Sequence, residues 1–129
     1  LQGSALYDDP RLHGADALLL VEVIEHLELE RLDLVARVLF ERLRPRRLVL
    51  TTPNREFNAR FEGMAPGAFR HDDHRFEWTR AELRAWCAAE AESRGYAARF
   101  VDVGPTDPEH GAPTQMAILD RVDASAGAP

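Results

Sequence analysis

The fold is decided by residues 15–22, which read ADALLLVE. A continuous apolar run after a glycine is typical of a strand that is buried on both faces, as in a parallel sheet. The run stops at Glu22, which would therefore lie at the carboxyl end of the strand. Apolar residues then recur every three to four positions over 24–43, which predicts one helix, and 48–52 is a second β-rich run. The order strand, helix, strand predicts a parallel βαβ unit and an α/β fold.

Further along the chain, residues 55–75 are polar, contain three glycine or proline residues and predict a loop. Thr79 and Glu82 have the spacing of a capping box, which predicts the start of a second helix. That helix would end at Gly95, because glycine is common just after a helix. Two more strands are predicted at 98–103 and 114–119.

Composition limits the classes of protein that the chain can represent. It has 129 residues, 45% of them hydrophobic, with a net charge of −6 and one cysteine. This is enough for about one ordered domain, and an acidic chain has no global attraction for nucleic acid, so any RNA contact would be local. No apolar run reaches the roughly 20 residues that span a bilayer, and no secretion leader is recognisable. We therefore expect a cytoplasmic protein without membrane contact, with Cys87 in the core.

Three side chains that suit a metal ion lie at the end of the first predicted strand. Ligand sites in α/β sheets form at the carboxyl ends of strands, and Glu22, Glu25 and His26 are spaced so that one helical turn would point them roughly the same way. Two carboxylates and an imidazole suit manganese, magnesium, iron or zinc. The alternative is a capped helix start, where acidic residues are favoured by the helix dipole.

A second cluster, HDDHRFEWTR at 71–80, precedes the second predicted helix. A histidine from it would complete a metal site with the first cluster. The alternative is a solvated loop in which Phe76 and Trp78 are packing anchors. A third cluster holds four arginines, which would contact phosphates or, more simply, complement the dipole at a helix C-terminus. Its members are Arg42, Arg44, Arg46 and Arg47.

Three ordered segments taken together resemble the family of small-RNA 3′-terminal ribose 2′-O-methyltransferases. They are VEVIEHL at 21–27, TTPNREFN at 51–58, and Arg70 followed by DHRFEWTR at 73–80. The segments VGP at 103–105 and GAPTQMA at 111–117 look most like the bacterial branch, whose members work beside a polynucleotide kinase–phosphatase in RNA repair.

The resemblance implies a class I S-adenosylmethionine-dependent methyltransferase fold, which is Rossmann-like. It implies methyl transfer from S-adenosyl-L-methionine to the 2′-OH of the last nucleotide of an RNA that has free 2′- and 3′-hydroxyls. A divalent ion, manganese or magnesium, would hold both hydroxyls, and His26 would also take the proton. His71 falls where the family varies and is not carried over. The ligands that the resemblance implies are Glu22, Glu25, His26 and His74.

The sequence departs from the family before Glu22. Residues 1–14 are too few for two βα units of about 30 residues each, and they contain neither the Gly-rich cofactor loop nor the acidic residue that binds the cofactor ribose. Gly3 and Ser4 would lie on the adenine side of the cofactor. We therefore expect residues 1–121 to be the C-terminal part of a catalytic domain and 122–129 a flexible tail. This incomplete fold would have weak or absent activity by itself, and its exposed sheet edge would favour dimerisation.

Two other functions are compatible with the same residues. Glu-x-x-Glu-His differs from the inverted zinc-peptidase signature His-x-x-Glu-His only in its first ligand, which suggests a metal-dependent hydrolase. A helix that carries the whole motif would favour the hydrolase, whereas a strand that ends at Glu22 would favour the methyltransferase. The other possibility is a non-catalytic module that binds metal or RNA.

Overall fold

The sheet has four strands, and the computed structural model describes it together with the rest of residues 8–61, 63–65 and 68–122. The strands lie in the order β1-β2-β4-β3. The predictions for Gly3, Ser4 and residues 123–129 of the tail lie outside these residues. The bounds of the strands are β1 Ala17–Val21, β2 Arg47–Pro53, β3 Tyr96–Val103 and β4 Thr114–Arg121.

The predicted βαβ unit is confirmed. β1 and β2 are parallel, with Leu18 opposite Leu48 and Val21 opposite Thr51. Both strands therefore end at the same edge of the sheet, where the backbone N–H of Glu22 donates to the carbonyl of Thr51. β4 is antiparallel to both β2 and β3. The parallel pair and its end at Glu22 are what position the candidate site.

The prediction of a single helix over 24–43 is wrong for residues 24–31. The chain makes two 3-10 turns, at Ile24–His26 and Leu29–Arg31, before α1 at Leu32–Ala36, which continues as a π-helical segment at Arg37–Leu43. Leu27 has extended backbone angles and separates the first turn from the rest. Because 3-10 and α-helical turns both repeat every three to four residues, the apolar spacing does not distinguish them.

β1 is buried on one face only, so the prediction of burial on both faces is wrong. Leu20 belongs to the core, whereas Leu19 and Val21 are 68% and 61% exposed. Side chains alternate between the two faces of a strand. The core lies on the face of β1 that carries Leu20, and no described residue covers the face that carries Leu19.

The second helix, α2 at Arg80–Arg94, has the predicted ends. Thr79 and Glu82 form the capping box, and Gly95 follows in the left-handed conformation at φ 77°. Cys87 is fully buried in the core, and burial raises the pKa of its thiol to about 12. Within the predicted loop over 55–75, the structure adds a 3-10 segment at Arg55–Arg60.

The arginine cluster is mainly structural. Arg44 ends the π-helical segment with φ 50° and donates to the backbone carbonyls of Phe40 and Arg94. Arg47 pairs with Asp120 on the neighbouring strand. The contacts of Arg44 fit the helix-end interpretation, whereas the Arg47–Asp120 pair joins two strands.

Replacing Thr79 with alanine is expected to lower the free energy of unfolding by about 1 kcal/mol. The substitution removes the hydroxyl that accepts from the backbone N–H of Glu82 at 3.2 Å. Urea unfolding would measure the loss. Thr106→Ala, at an exposed position outside any helix, is the matched control; equal losses in the two variants would contradict the contribution of the cap.

No helix among the described residues has the length and apolar character needed to cross a membrane.

Candidate metal centre

The first part of the site is built by the chain as it leaves β1. Glu22 adopts a left-handed conformation with φ 54°, which is unusual for a residue with a side chain; such residues cluster at active sites and ligand-binding sites. The 3-10 turn that follows places Glu25 and His26. The Glu25 side chain is fully buried, whereas that of His26 is about one third exposed.

His74 reaches the same place from the loop that precedes α2. The backbone N–H of Arg75 donates to the carbonyl of Glu25 at 2.6 Å and joins the two segments. The rings of His26 and His74 meet edge to face, with 4.7 Å between their centroids. One ligand atom from each of Glu25, His26 and His74 lies within 4.8 Å of the others. The structure therefore brings three of the four predicted ligands together.

A cavity of about 300 Å³ lies beside this cluster, with His26 and His74 in its lining. Glu22, the fourth predicted ligand, lines the same cavity. Burial raises the pKa of Glu22 to about 7, and the nearby negative charge of Glu25 adds to the rise. His71 and Asp73 also line this cavity. His71 stacks edge to face on His74 at 5.1 Å.

The polar atoms that remain free fit a divalent cation. Oε1 of Glu25 accepts from the hydroxyl of Thr52 at 2.7 Å, but Oε2 is buried with no hydrogen-bond partner among the described residues. A buried unpaired carboxylate oxygen is costly, and such groups are usually paired or bound to a metal. Nε2 of His26 lies 3.7 Å from this oxygen. Carboxylate and imidazole donors in this combination suit manganese, magnesium, iron or zinc.

A buried carboxylate that sequence reasoning missed holds His74. Nδ1 of His74 lies 2.6 Å from Oε2 of Glu77, so Nε2 is the ring nitrogen left for the cavity. Glu77 also accepts from the amide of Asn58 and the backbone N–H of Arg70. Burial favours a higher pKa for Glu77, but the hydrogen bonds from His74, Asn58 and Arg70 hold the pKa below its usual value.

The geometry also bears on the alternatives from the sequence. A strand ends just before Glu22, and within the Glu-x-x-Glu-His motif the structure forms only the 3-10 turn at Ile24–His26. No helix carries the whole motif, so the hydrolase is disfavoured. Phe76 is buried and packs on Trp78, with 4.7 Å between the ring centroids. These two aromatic residues are packing anchors, as expected.

Solved structures identify the class of fold. A sheet with this arrangement occurs in an S-adenosylmethionine-dependent methyltransferase from Archaeoglobus fulgidus, which is 13% identical with a TM-score of 0.61 over 94% of this chain and 66% of that one. At this identity the likeness concerns the fold alone. The fold is therefore the Rossmann-like fold of these methyltransferases, as predicted, and the chain matches part of it.

Proteins of higher identity show which proteins the chain is homologous to. The methyltransferase domain of a bacterial Hen1 is 42% identical, with a TM-score of 0.79 over 93% of this chain and 60% of that one. The Small RNA 2′-O-methyltransferase of Gallus gallus is 39% identical over 121 residues, which are 92% of this chain and 32% of the relative. The chain is thus a homologue of the small RNA 2′-O-methyltransferases, which confirms the resemblance, and it spans about a third of the length of this curated relative.

A less similar solved structure comes from a protein complex. A chain from a Pnkp1/Rnl/Hen1 complex is 27% identical, with a TM-score of 0.60 over 81% of this chain and 22% of that one. No protein-family model matches the chain.

Proposed function

We propose that this chain supplies the metal centre and the RNA-end site of an enzyme that methylates RNA. The reaction transfers a methyl group from S-adenosyl-L-methionine to the 2′-OH of the 3′-terminal nucleotide. The observation that carries the proposal is the buried Oε2 of Glu25, which has no hydrogen-bond partner in the part of the chain that the structure describes and lies beside His26 and His74. The homology with small RNA 2′-O-methyltransferases supports the choice of reaction and substrate.

In this proposal the ligands of the cation are Glu22, Glu25, His26 and His74, and the cation is manganese or magnesium. When bound, it would supply positive charge that orients two neighbouring hydroxyls and lowers their pKa. The ligands come from two segments, which the hydrogen bond from Arg75 to Glu25 joins.

The rest of the chemistry falls to side chains of this chain and to the substrate. His26 lines the cavity, and in this proposal the ring nitrogen of His26 that does not hold the cation accepts the proton of the 2′-hydroxyl. The 2′-oxygen forms a bond to the methyl carbon as the bond from that carbon to sulfur breaks. Because DNA lacks the 2′-OH, the same site selects RNA, and because both hydroxyls of one ribose are needed, it selects a 3′ end.

The partner in this proposal is a polynucleotide kinase–phosphatase of RNA repair. Two observations support it: the segments at 103–105 and 111–117 that look like the bacterial branch, and the neighbour that forms part of a Pnkp1/Rnl/Hen1 complex.

The experiment that tests the function joins this chain to the remaining part of the methyltransferase domain of a bacterial Hen1 relative. Methyl transfer to a short RNA is measured with Mn²⁺ and with a chelator. We expect transfer that needs Mn²⁺ and is absent when the terminal nucleotide is 2′-deoxy or carries a 3′-phosphate. Transfer that persists in the chelator would refute the metal centre, and transfer to blocked ends would refute end recognition. Metal-dependent RNA binding without transfer would favour the non-catalytic module.

Association through the edge of β1 that no described strand covers is a separate prediction. Leu19 and Val21 are largely exposed on one face of this edge strand, and exposed apolar edges pair readily with other chains. We expect light scattering to show a dimer that Leu19→Lys converts to a monomer. Leu34→Lys, at another exposed apolar position, is the control, and a wild-type monomer would contradict the prediction.

A further inference from the structure

A second cavity of about 370 Å³ adjoins the candidate metal centre. Asn58 lines the second cavity and Arg70 lines the first. Nε of Arg70 donates to Oδ1 of Asn58 at 2.6 Å, so this pair forms a wall between the two cavities. The volume is within the range of pockets that bind small molecules.

One side of the second cavity is apolar and aromatic. Phe61 is 40% exposed, and the guanidinium of Arg70 lies over its ring at 5.0 Å. Arg70 thus covers one face of the ring, and Phe57 meets the ring edge to face at 5.6 Å. The part of the ring that stays exposed is aromatic surface on which a nucleobase can stack. Small or unbranched side chains leave room beside the ring, and they belong to Ala59, Met64, Ala65 and Ala68.

The polar groups of the cavity are already engaged within the protein. Both carboxylate oxygens of Glu56 accept from Arg80, and the Asn58 amide binds Arg70 and Glu77. Among the described lining residues, Arg55 alone has a charged side chain without a partner. The cavity therefore offers stacking and one cation, but few groups that would read the hydrogen-bonding edge of a base.

The geometry points to a binding site for the terminal nucleobase of the RNA, with Phe61 as the stacking platform and Arg55 beside the phosphate. This inference rests on the proposed function. The base is attached at C1′, next to the carbon that bears the 2′-hydroxyl. In this inference the hydroxyls of the terminal ribose face Glu25 and His74, and its base lies beyond the Asn58–Arg70 pair in the second cavity. Because stacking tolerates every base, the site accepts all four nucleotides at the RNA end.

The test measures binding of fluorescein-labelled short RNAs to the full chain in Mn²⁺ by anisotropy. One RNA ends in an abasic ribonucleotide, which keeps both hydroxyls and lacks the base. We expect it to bind about 5- to 150-fold more weakly than RNAs that end in A, C, G or U, and we expect those four to differ far less from one another. Equal affinity for the abasic and normal ends would overturn the inference.

Substitutions show which residues cause the weaker binding of the abasic end. In Phe61→Ala the penalty for the abasic end is expected to shrink, because the two changes remove the same interaction. Phe69→Ala, at a similarly exposed phenylalanine outside the lining, is expected to retain the penalty. Arg55→Gln is expected to weaken the binding of all the RNAs equally. Arg42→Gln, at an exposed arginine elsewhere, is expected to leave their affinities unchanged. A full penalty in Phe61→Ala would overturn the stacking role.

The same assay separates this inference from the proposed function. A chelator and a 3′-phosphate test the metal centre, whereas the abasic end tests the second cavity. Binding that needs Mn²⁺ and a free end but ignores the base would leave the function standing and refute the nucleobase site. Weaker binding of the abasic end, together with binding that does not depend on Mn²⁺, would support the nucleobase site and refute the proposed function. An absence of RNA binding would refute both.

Discussion

Replacing Glu25 with alanine is expected to abolish the rise in melting temperature that Mn²⁺ gives the wild-type chain. A cation that binds only the folded chain stabilises it by about 2.7 kcal/mol at a hundred times its Kd. For a chain of this size the rise is about 10 °C. Glu25 provides the buried oxygen that has no hydrogen-bond partner among the described residues, so the substitution removes the ligand atom for which a cation is the missing partner. Differential scanning fluorimetry with and without Mn²⁺ measures the effect.

The same comparison has a built-in control. Glu30→Ala removes an exposed carboxylate from the second 3-10 turn, and we expect it to retain the full Mn²⁺ response. His74→Ala is expected to behave like Glu25→Ala, because His74 belongs to the same cluster. An unchanged Mn²⁺ response in both Glu25→Ala and His74→Ala would show that the cation binds elsewhere.

The place of the site followed from the sequence, because it depends on a simple pattern. An apolar run that ends on Glu22 predicts a strand, and the carboxyl ends of parallel strands meet at one edge of the sheet. The two ends of α2, at Thr79 and Gly95, were equally predictable, because each depends on local hydrogen bonds or backbone freedom. The sequence suggested that a histidine of the cluster at 71–80 completes the site, but the choice of His74 came from the resemblance, since no local pattern relates residues so far apart in the chain.

The backbone around the site was not predictable from the same patterns. The left-handed conformation of Glu22 interrupts the geometry that would put three side chains on one helical turn. The convergence of Glu25, His26 and His74 depends instead on tertiary contacts such as the one from Arg75 to Glu25. The exposed face of β1 was missed for a related reason, since an apolar run does not reveal which elements cover it.

The residues that support the ligands were also missed. Glu77 stands among charged residues in the sequence, where a solvated role is the ordinary expectation, yet the structure buries it fully. Only the fold brings Asn58 and the backbone of Arg70 to its two oxygens. Supporting carboxylates of this kind orient the histidines of metal sites, so burial of an acidic residue three positions after a histidine is the signal to look for.

Glu77→Gln is therefore expected to weaken Mn²⁺ binding by about 10- to 100-fold, the usual effect of removing a partner of a metal-bound histidine. The carboxylate accepts three hydrogen bonds, from His74, Asn58 and Arg70. Glutamine has the same shape, but its amide nitrogen is a donor and would face a donor at one of these contacts. The ring of His74 would then lose the partner that fixes its Nδ1 proton. Isothermal titration with Mn²⁺ measures the loss.

Two comparisons separate this positioning role from a general loss of stability. Glu90→Gln changes a half-buried carboxylate on α2 that pairs with Arg94, and it is expected to leave Mn²⁺ affinity unchanged. In the His74→Ala background, Glu77→Gln is expected to cause no further loss, because Glu77 acts through His74. Nitrogen NMR of the His74 ring adds a readout that stability alone does not move: the proton is expected on Nδ1 in the wild type and distributed over both nitrogens in Glu77→Gln. A wild-type Mn²⁺ affinity in Glu77→Gln would show that the carboxylate only fills the core.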